Sequence, residues 1–361
     1  VITKWFIVNV RRFQLLVLVL LIIFRANSQP PKYSNEFLAI GVGARPLSMA
    51  NSIVAGVNDV TAGYWNPAGL AFLSRDIEIG LMHAEYFAQI AKFDYLAAAM
   101  RLDTSSGFAA SIVRFGVDDI PNTLDLYDEN GDINYNRITK FSVADYAVLL
   151  SYARKPSVKG LSIGGNVKII RRVIGEFAQS WGFGFDVGAQ YRYKNWLFGA
   201  AGRDVTSTFN AWSFNNELLE EPFALTGNEM PQNSFEITLP RLISGVAYDA
   251  RLFKHFSMLT EIDADITFDG KRHELIKSNF ASISPHMGIQ FNYDDIVFVR
   301  GGIGNIQQAM GYDGEYYSFQ PNIGLGIRFL AFHLDYALTD IGDKSLALYS
   351  HIFSLNIAFN R

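Results

Sequence analysis

Cysteine is absent from all 361 residues. Disulfides, thiolate metal sites, a cysteine nucleophile and a lipid anchor on cysteine are thereby excluded within them. Concentrated positive charge is missing as well: the formal net charge is −4, and no Lys/Arg cluster is present to displace counterions from nucleic-acid phosphates. No nucleic-acid partner is expected. Long apolar runs are also scarce. The longest, Phe13 to Phe24, is about a dozen residues, short of the ~20 that a membrane-spanning helix requires. Pro/Ser runs, charge blocks and low-complexity tracts are lacking, so a single domain after the leader is the simplest organisation.

What is present begins with that leader. Lys4, Arg11 and Arg12 precede the apolar run, and Ala26-Asn27-Ser28 places small residues at an A-x-A-like cleavage site. This pattern predicts a secretory signal peptide over 1–28, with the mature chain starting near Gln29. Aromatic residues make up 14% of the chain and recur on one face of alternating segments, the use an outer-membrane barrel makes of them at its lipid interfaces.

The alternation is clearest from Trp181 to Tyr193. Trp181, Phe183, Phe185 and Val187 share one face, and Gly182, Gly184, Asp186 and Gly188 the other. Segments of this kind lie near 76–83, 89–101, 106–115, 144–154, 158–172, 181–193, 196–206, 236–250, 255–267, 282–292, 296–303, 315–328, 330–339 and 350–360. Their connections alternate between short, as at Lys194-Asn195, and long, over 116–143, 173–180, 207–235, 268–281, 304–314 and 340–349; only the first outer loop, 84–88, is tight. Short turns on the periplasmic side and long loops outside are the habit of bacterial outer-membrane barrels. The prediction is an all-β fold, a 14-stranded antiparallel transmembrane β-barrel over 76–361 in a Gram-negative outer membrane, with both termini periplasmic and membrane lipid around it. Pro240, Pro285 and Pro321 are expected at strand ends, bulges or loop-side extensions, because proline removes a ladder bond.

The small-residue-rich stretch 41–70 suits an insert better than a wall strand. It is read as the heart of an N-terminal hatch or plug over 29–75, lying in the lumen, in which Arg45 and Asp59 are the charged groups and are expected to pair with lumen residues. Trp65, Asn66 and Pro67 belong to its compact ending, and Asn66-Pro67 reads as a turn initiator. On the inner face, Glu261, Asp263 and Asp265 form an acidic row, while Arg192, Arg203 and Arg300 supply cations. They read either as a charged ring that selects a solute or as groups that pair internally, since ionised side chains facing lipid cost about 2–4 kcal/mol at mid-bilayer.

Other motifs carry less. Gly160-Leu161-Ser162-Ile163-Gly164 fits the G-x-S-x-G elbow of hydrolases, yet Ser162 lies inside an alternating strand where the elbow needs a turn into a helix. The histidines are scattered, and no metal centre or cofactor is expected from them. Asp128, Asn130 and Asp132 resemble the start of a calcium loop in an extracellular connection, but Ile133 and Thr139 stand where an EF-hand wants Gly and Glu, so an Asx-rich turn is the competing reading.

Gly43-Ala44-Arg45, Met49, Asn58-Asp59-Val60 and Tyr64-Trp65-Asn66-Pro67-Ala68-Gly69-Leu70 resemble the N-terminal hatch of FadL-like outer-membrane barrels, and within these the PorV/PorQ family of Bacteroidetes. The resemblance implies a fourteen-stranded barrel around a hatch, and one of two roles. One is a non-enzymatic accessory subunit or cargo shuttle of type IX protein secretion or a related envelope assembly complex, acting through protein partners. The other is a FadL-like channel for uptake of hydrophobic small molecules. Tyr-Trp-Asn-Pro-Ala-Gly, where the core secretion member has His-Trp-Asn-Pro-Ala-Lys, marks this chain as resembling a paralogue.

Overall fold

The computed structural model describes residues 34–87, 89–126, 131–311, 314–339 and 349–360. Its strands are β1 (Ile77–Tyr86), β2 (Ala91–Arg101), β3 (Ser106–Asn122), β4 (Thr139–Arg154), β5 (Leu161–Ile174), β6 (Ala178–Tyr193), β7 (Trp196–Arg203), β8 (Thr208–Phe214), β9 (Ser234–Thr238), β10 (Arg241–Arg251), β11 (Phe256–Thr267), β12 (Ile276–Lys277), β13 (Ser282–Tyr293), β14 (Val297–Gly311), β15 (Gly314–Phe329), β16 (Phe332–Thr339) and β17 (Ser350–Phe359). Antiparallel neighbours run from β1 to β7, then through β10, β11 and β13 to β17. β17 returns to β1, with Ile77 opposite Phe359 and Glu85 opposite His351. The wall is therefore a closed fourteen-stranded barrel, and closure removes the edges that would otherwise recruit other strands.

Each wall strand alternates because successive side chains point to opposite faces. On β6, Trp181, Phe183, Phe185 and Val187 are exposed outward while Ser180 and Asp186 are buried inward. Exposed outward aromatics gather near both ends of the wall. Tyr193, Trp196 and Phe256 lie at the short-turn end, and Phe209 and Tyr317 toward the loop end. Trp196 and Tyr248 meet edge to face at 4.8 Å, and Phe256 lies 4.9 Å from Tyr293.

Two neighbouring wall positions are interrupted. β7 and β8 form one, broken at 204–207, and β9 and β10 form the next, broken at Leu239-Pro240. Arg203 still pairs with Arg241 and Thr208 with Thr238 across the break. Asp204 and Ser207 take positive φ of 53° and 58°, which gives the surplus residues a tight local loop. Pro240 thus sits at a break, Pro321 lies beside the β14–β15 bulge between Gly304 and Gln307, and Pro285 pairs with Ala264 in the loop-side part of β13. Several connections read as long are partly tall hairpins: β3 extends to Asn122, β4 begins at Thr139, and most of 304–314 is ladder. Alternation persists beyond the apolar band, where polar residues carry the strands on.

Residues 34–73 do not join the wall. They form turns and short helices at Glu36–Ala39, Ala44–Ser48, Ala62–Trp65 and Pro67–Phe72. Val42, Met49, Ile53, Val57 and Leu70 are fully buried and share one apolar cluster with inward-facing Phe93, Leu149, Ile170 and Ile352 of the wall. Ser34 hydrogen-bonds Glu236 on β9 and accepts from Asn210 on β8, toward the loop end. Phe72 lies under Lys155 and Arg192 at the turn end. The wall begins and ends at the turn end, but the first described residue of the chain is at the other. The segment thus runs the height of the barrel before β1 starts, and both chain termini lie outside the described residues. The predicted signal peptide lies outside the described residues.

Candidate site: the polar seam between the N-terminal segment and the wall

Short helices leave most of their amides and carbonyls without regular partners, and those of residues 34–73 are answered by inward-facing side chains. Asp263 Oδ2 accepts from the Ile53 and Val54 amides at 2.8 and 3.0 Å. Glu261 Oε1 accepts from Ala55 N at 2.6 Å, and its Oε2 from Gly56 N at 3.1 Å. Glu78 accepts from Val60 N at 2.9 Å and Ser354 Oγ from Ala44 N at 2.7 Å. Strands β5 to β7, on the far side of β10 from β11, donate instead. Ser162 Oγ donates to Ala68 O at 2.6 Å, Asn166 to Gly63 O at 2.7 Å, and Gln190 to Val57 O at 3.0 Å. Arg203 donates to the carbonyls of Leu38 and Tyr64 at 3.2 and 3.1 Å, its guanidinium 4.6 Å from the Tyr64 ring.

Close backbone approach explains the inward glycines. A Cβ on Gly199 would run into the Val54 carbonyl, one on Gly107 into the Leu70 carbonyl, and one on Gly302 into the Met49 backbone. The Asn66-Pro67-Ala68-Gly69 turn has a similar account. Asn66 caps the turn by accepting from Ala68 N, and Pro67 occupies the first position, where no N–H is needed. The Asn66 amide then donates to Val54 O at 2.8 Å and to wall residue Ala189 O at 3.1 Å. A side chain on Gly69 would collide with the Val57 carbonyl. Trp65 Nε1 donates to Val42 O at 2.9 Å, which folds the segment onto itself.

Not every expected pairing occurs. Arg45 and Asp59 pair with each other at 2.9 Å rather than with wall residues, since both lie on the same segment and face one another across its fold. Asp59 also accepts from Thr61. Arg300 pairs with Asp335 at 2.6 Å, Lys168 with Asp186 and Asp204 at 2.8 and 2.5 Å, and Asp265 with Arg241 at 3.5 Å. Arg192 lies over the Phe72 ring at 3.7 Å, and among the described residues no carboxylate is within 4.0 Å of it. At the adjoining turn, burial and then the neighbouring Arg192 charge pull the Lys155 ammonium below its usual pKa.

A Ser–His–Asp chain that spacing could not reveal also exists. Ser52 Oγ is 3.0 Å from His286 Nδ1, and His286 Nε2 is 3.4 Å from Asp265. Ser52 is wholly buried and does not line the adjoining cavity of about 300 Å³, so the chain ties the segment to β13 and β11 rather than offering a nucleophile. Ser162 is likewise wholly buried and engaged with Ala68. Asp128 and Asn130 lie outside the described residues. Asp132 is described, and no group of three metal-ligating side chains occurs among the described residues. The sequence reading missed Glu78, Asn166, Gln190 and Ser354; their only signal was polarity on the inward face of an alternating strand.

A closed wall with an apolar exterior, girdled by aromatics and lined by polar groups and glycine, defines an outer-membrane β-barrel. Residues 29–212, about half of the chain, match the family model described as type IX secretion system protein PorV, and the chain belongs to that family. Solved structures similar in fold include the toluene transporter TbuX of Ralstonia pickettii, at 14% identity and TM-score 0.52 over 89% of this chain and 99% of that one. The toluene transporter TodX of P. putida is similar at 12% identity and TM-score 0.55, over 89% and 99%. The monoaromatic hydrocarbon channel CymD is similar at 12% and 0.55, over 89% and 98%. No curated protein matches the sequence.

Proposed function

We propose that this barrel is a non-enzymatic accessory subunit or cargo shuttle of type IX secretion or a related envelope assembly complex, and that residues 29–75 are a hatch in the lumen of the barrel formed by 76–361. The observation that carries this reading is the seam. Backbone amides and carbonyls of 44–68 are bonded to inward side chains on β1, β5, β6, β11 and β17, and most residues of 42–71 are fully buried. Such a hatch closes the pore, and function then resides in contacts made outside it. In this reading residues 1–28 are a cleaved signal peptide, the short turns are periplasmic, and the helix Asn216–Thr226 and the tall hairpins face outward. Exposed Phe235 and Phe280 at that end offer the apolar anchors that interfaces use. Membrane lipid surrounds the apolar band.

Gentle detergent extraction followed by affinity purification tests the proposal. Stoichiometric large partners are expected; a monomer carrying a hydrophobic ligand would overturn it in favour of a channel for hydrophobic small molecules. The paired breaks at 204–207 and Leu239-Pro240 favour that second reading, since an interrupted wall is where a lateral path could open. Against it stands the polarity just inside, where Lys168, Asp186 and Asp204 are locked together. Deleting 41–70 is expected to raise single-channel conductance in planar bilayers. Unchanged conductance in a folded variant would refute the hatch.

A further inference from the structure

At the turn end the seam leaves a cavity of about 590 Å³ between the segment and strands β1, β6, β7, β10, β11 and β13 to β17. Five arginines line it: Arg45, Arg75, Arg192, Arg300 and Arg328. Three of them hold buried N–H groups that meet no acceptor among the described residues, namely Arg45 Nε, Arg192 Nε and Arg300 Nη2. Arg300 is 3% exposed overall; its Nη1 is bound to Asp335 and its Nε to Gln290 at 2.7 Å, so the remaining arm is held rigidly without a partner. An orphaned guanidinium donor in so buried a place costs free energy unless something accepts from it.

The acids around the cavity do not meet that need. Asp59 is taken up by Arg45 and Thr61, Glu78 by the Val60 amide, and Asp295 by Asn292. Among the described residues Asp249 is the one lining carboxylate whose side chain makes no hydrogen bond or ion pair, and it stands among a surplus of arginine. Arg192 and Arg328 make no ion pair within 4.0 Å among the described residues; Arg328 instead lies 5.2 Å from the Phe298 ring. Leu197, Leu259 and Phe298 add an apolar side to the same space.

We infer that this cavity binds a compact organic anion, its phosphate or carboxylate received by Arg300 and Arg328, which both lie 5.2 Å from the Phe298 ring, and its apolar body by Leu259 and Phe298. Guanidinium forks match the paired oxygens of both anions, and the volume is in the ordinary range for small-molecule sites. The site goes beyond the secretion role and stands apart from which partner the outer loops engage.

The test is calorimetric titration of the full-length, detergent-solubilised protein with phenyl phosphate, benzoate and inorganic phosphate, against sodium chloride at matched ionic strength. Phenyl phosphate or benzoate is expected to bind saturably and more tightly than inorganic phosphate. Arg328→Gln, which leaves the Arg300–Asp335 pair in place, is expected to weaken that binding by about tenfold, given the strength of charge-assisted bonds. Asp249→Asn, which leaves the arginines in place, is expected to tighten it. Which organic anion binds better distinguishes phosphate from carboxylate as the natural group. Heat no different from chloride overturns the inference, as does wild-type affinity in Arg328→Gln. Should Arg328→Gln fail to migrate as a folded barrel, unchanged affinity in Asp249→Asn overturns it alone.

Discussion

The β11 side of the wall and the β5–β7 side receive one segment with opposite chemistry. On β11, carboxylates accept from four consecutive amides, Ile53 to Gly56. On β5 to β7, Ser162, Asn166, Gln190 and Arg203 donate to carbonyls. A peptide with little regular structure exposes both kinds of group, and burying either unpaired costs about 1–3 kcal/mol. The difference between the two arcs therefore sets which face of the segment each receives: turned about its long axis, its amides would face donors and its carbonyls carboxylates.

The sharpest way to break this comparison is Glu261→Ala with Asp263→Ala, which removes the acceptors of all four amides. At about 1–3 kcal/mol for each group left unsatisfied, several kcal/mol are at stake. The expected outcome is limited proteolysis within 50–58 while the heat-modifiable migration of the barrel persists. Protease resistance equal to wild type would falsify the acceptor role. On the donor arc, Arg203→Met removes two carbonyl contacts and is expected to lower stability by about 1.5–3 kcal/mol, as hydrogen bonds to charged groups contribute; chemical denaturation in detergent measures it. Gly199→Val presses a side chain against the Val54 carbonyl and is expected to cost about 1–3 kcal/mol by overpacking. An outward substitution of similar size, Ala200→Val, should cost much less, and equal effects would remove the distinction between faces.

The smallest effect lies outside the seam, at the β2–β3 turn. Asp103 accepts from Ser105 N at 2.6 Å and from the Ser105 and Ser106 hydroxyls at 2.7 Å, which hold its carboxyl below the usual range. A depressed folded-state pKa stabilises above the unfolded value and is lost as pH falls through the folded one. Asp103→Asn is thus expected to be slightly less stable than wild type at neutral pH. The gap in melting temperature should narrow below about pH 4, where unfolded Asp begins to bind its proton. A gap independent of pH would show that the turn owes nothing to the charge.

Much of this architecture is written in plain alternation. Trp181 to Val187 declares its two faces without help from distant residues, and the short turns separate the wall strands where Lys194-Asn195 or Asp103-Thr104-Ser105 interrupts the pattern. The acidic row on β11 could be placed inward for the same reason. What could not be read was which inward group meets which part of the segment. Arg45 and Asp59 are fourteen positions apart on an irregular chain, so no periodicity tells that they face each other. Ser52 and His286 meet only because the segment folds beside β13. The breaks in β7–β8 and β9–β10 were hidden as well, since alternation resumes on both sides of them.

The β1–β17 ladder has a further consequence, for the order in which the molecule is made. It joins the first wall strand to the last, so the ring is not complete until the final residues of the chain arrive. The segment bonded within it is covalently continuous with β1 and contacts both arcs. As the hatch proposed above, it is expected to be in position before the last seam zips, the wall closing around it. A peptide of residues 34–75 supplied to an already closed barrel lacking them is expected to remain outside, whereas the same residues encoded in front of β1 become enclosed. Co-purification of the added peptide with the preformed barrel would contradict that order of assembly.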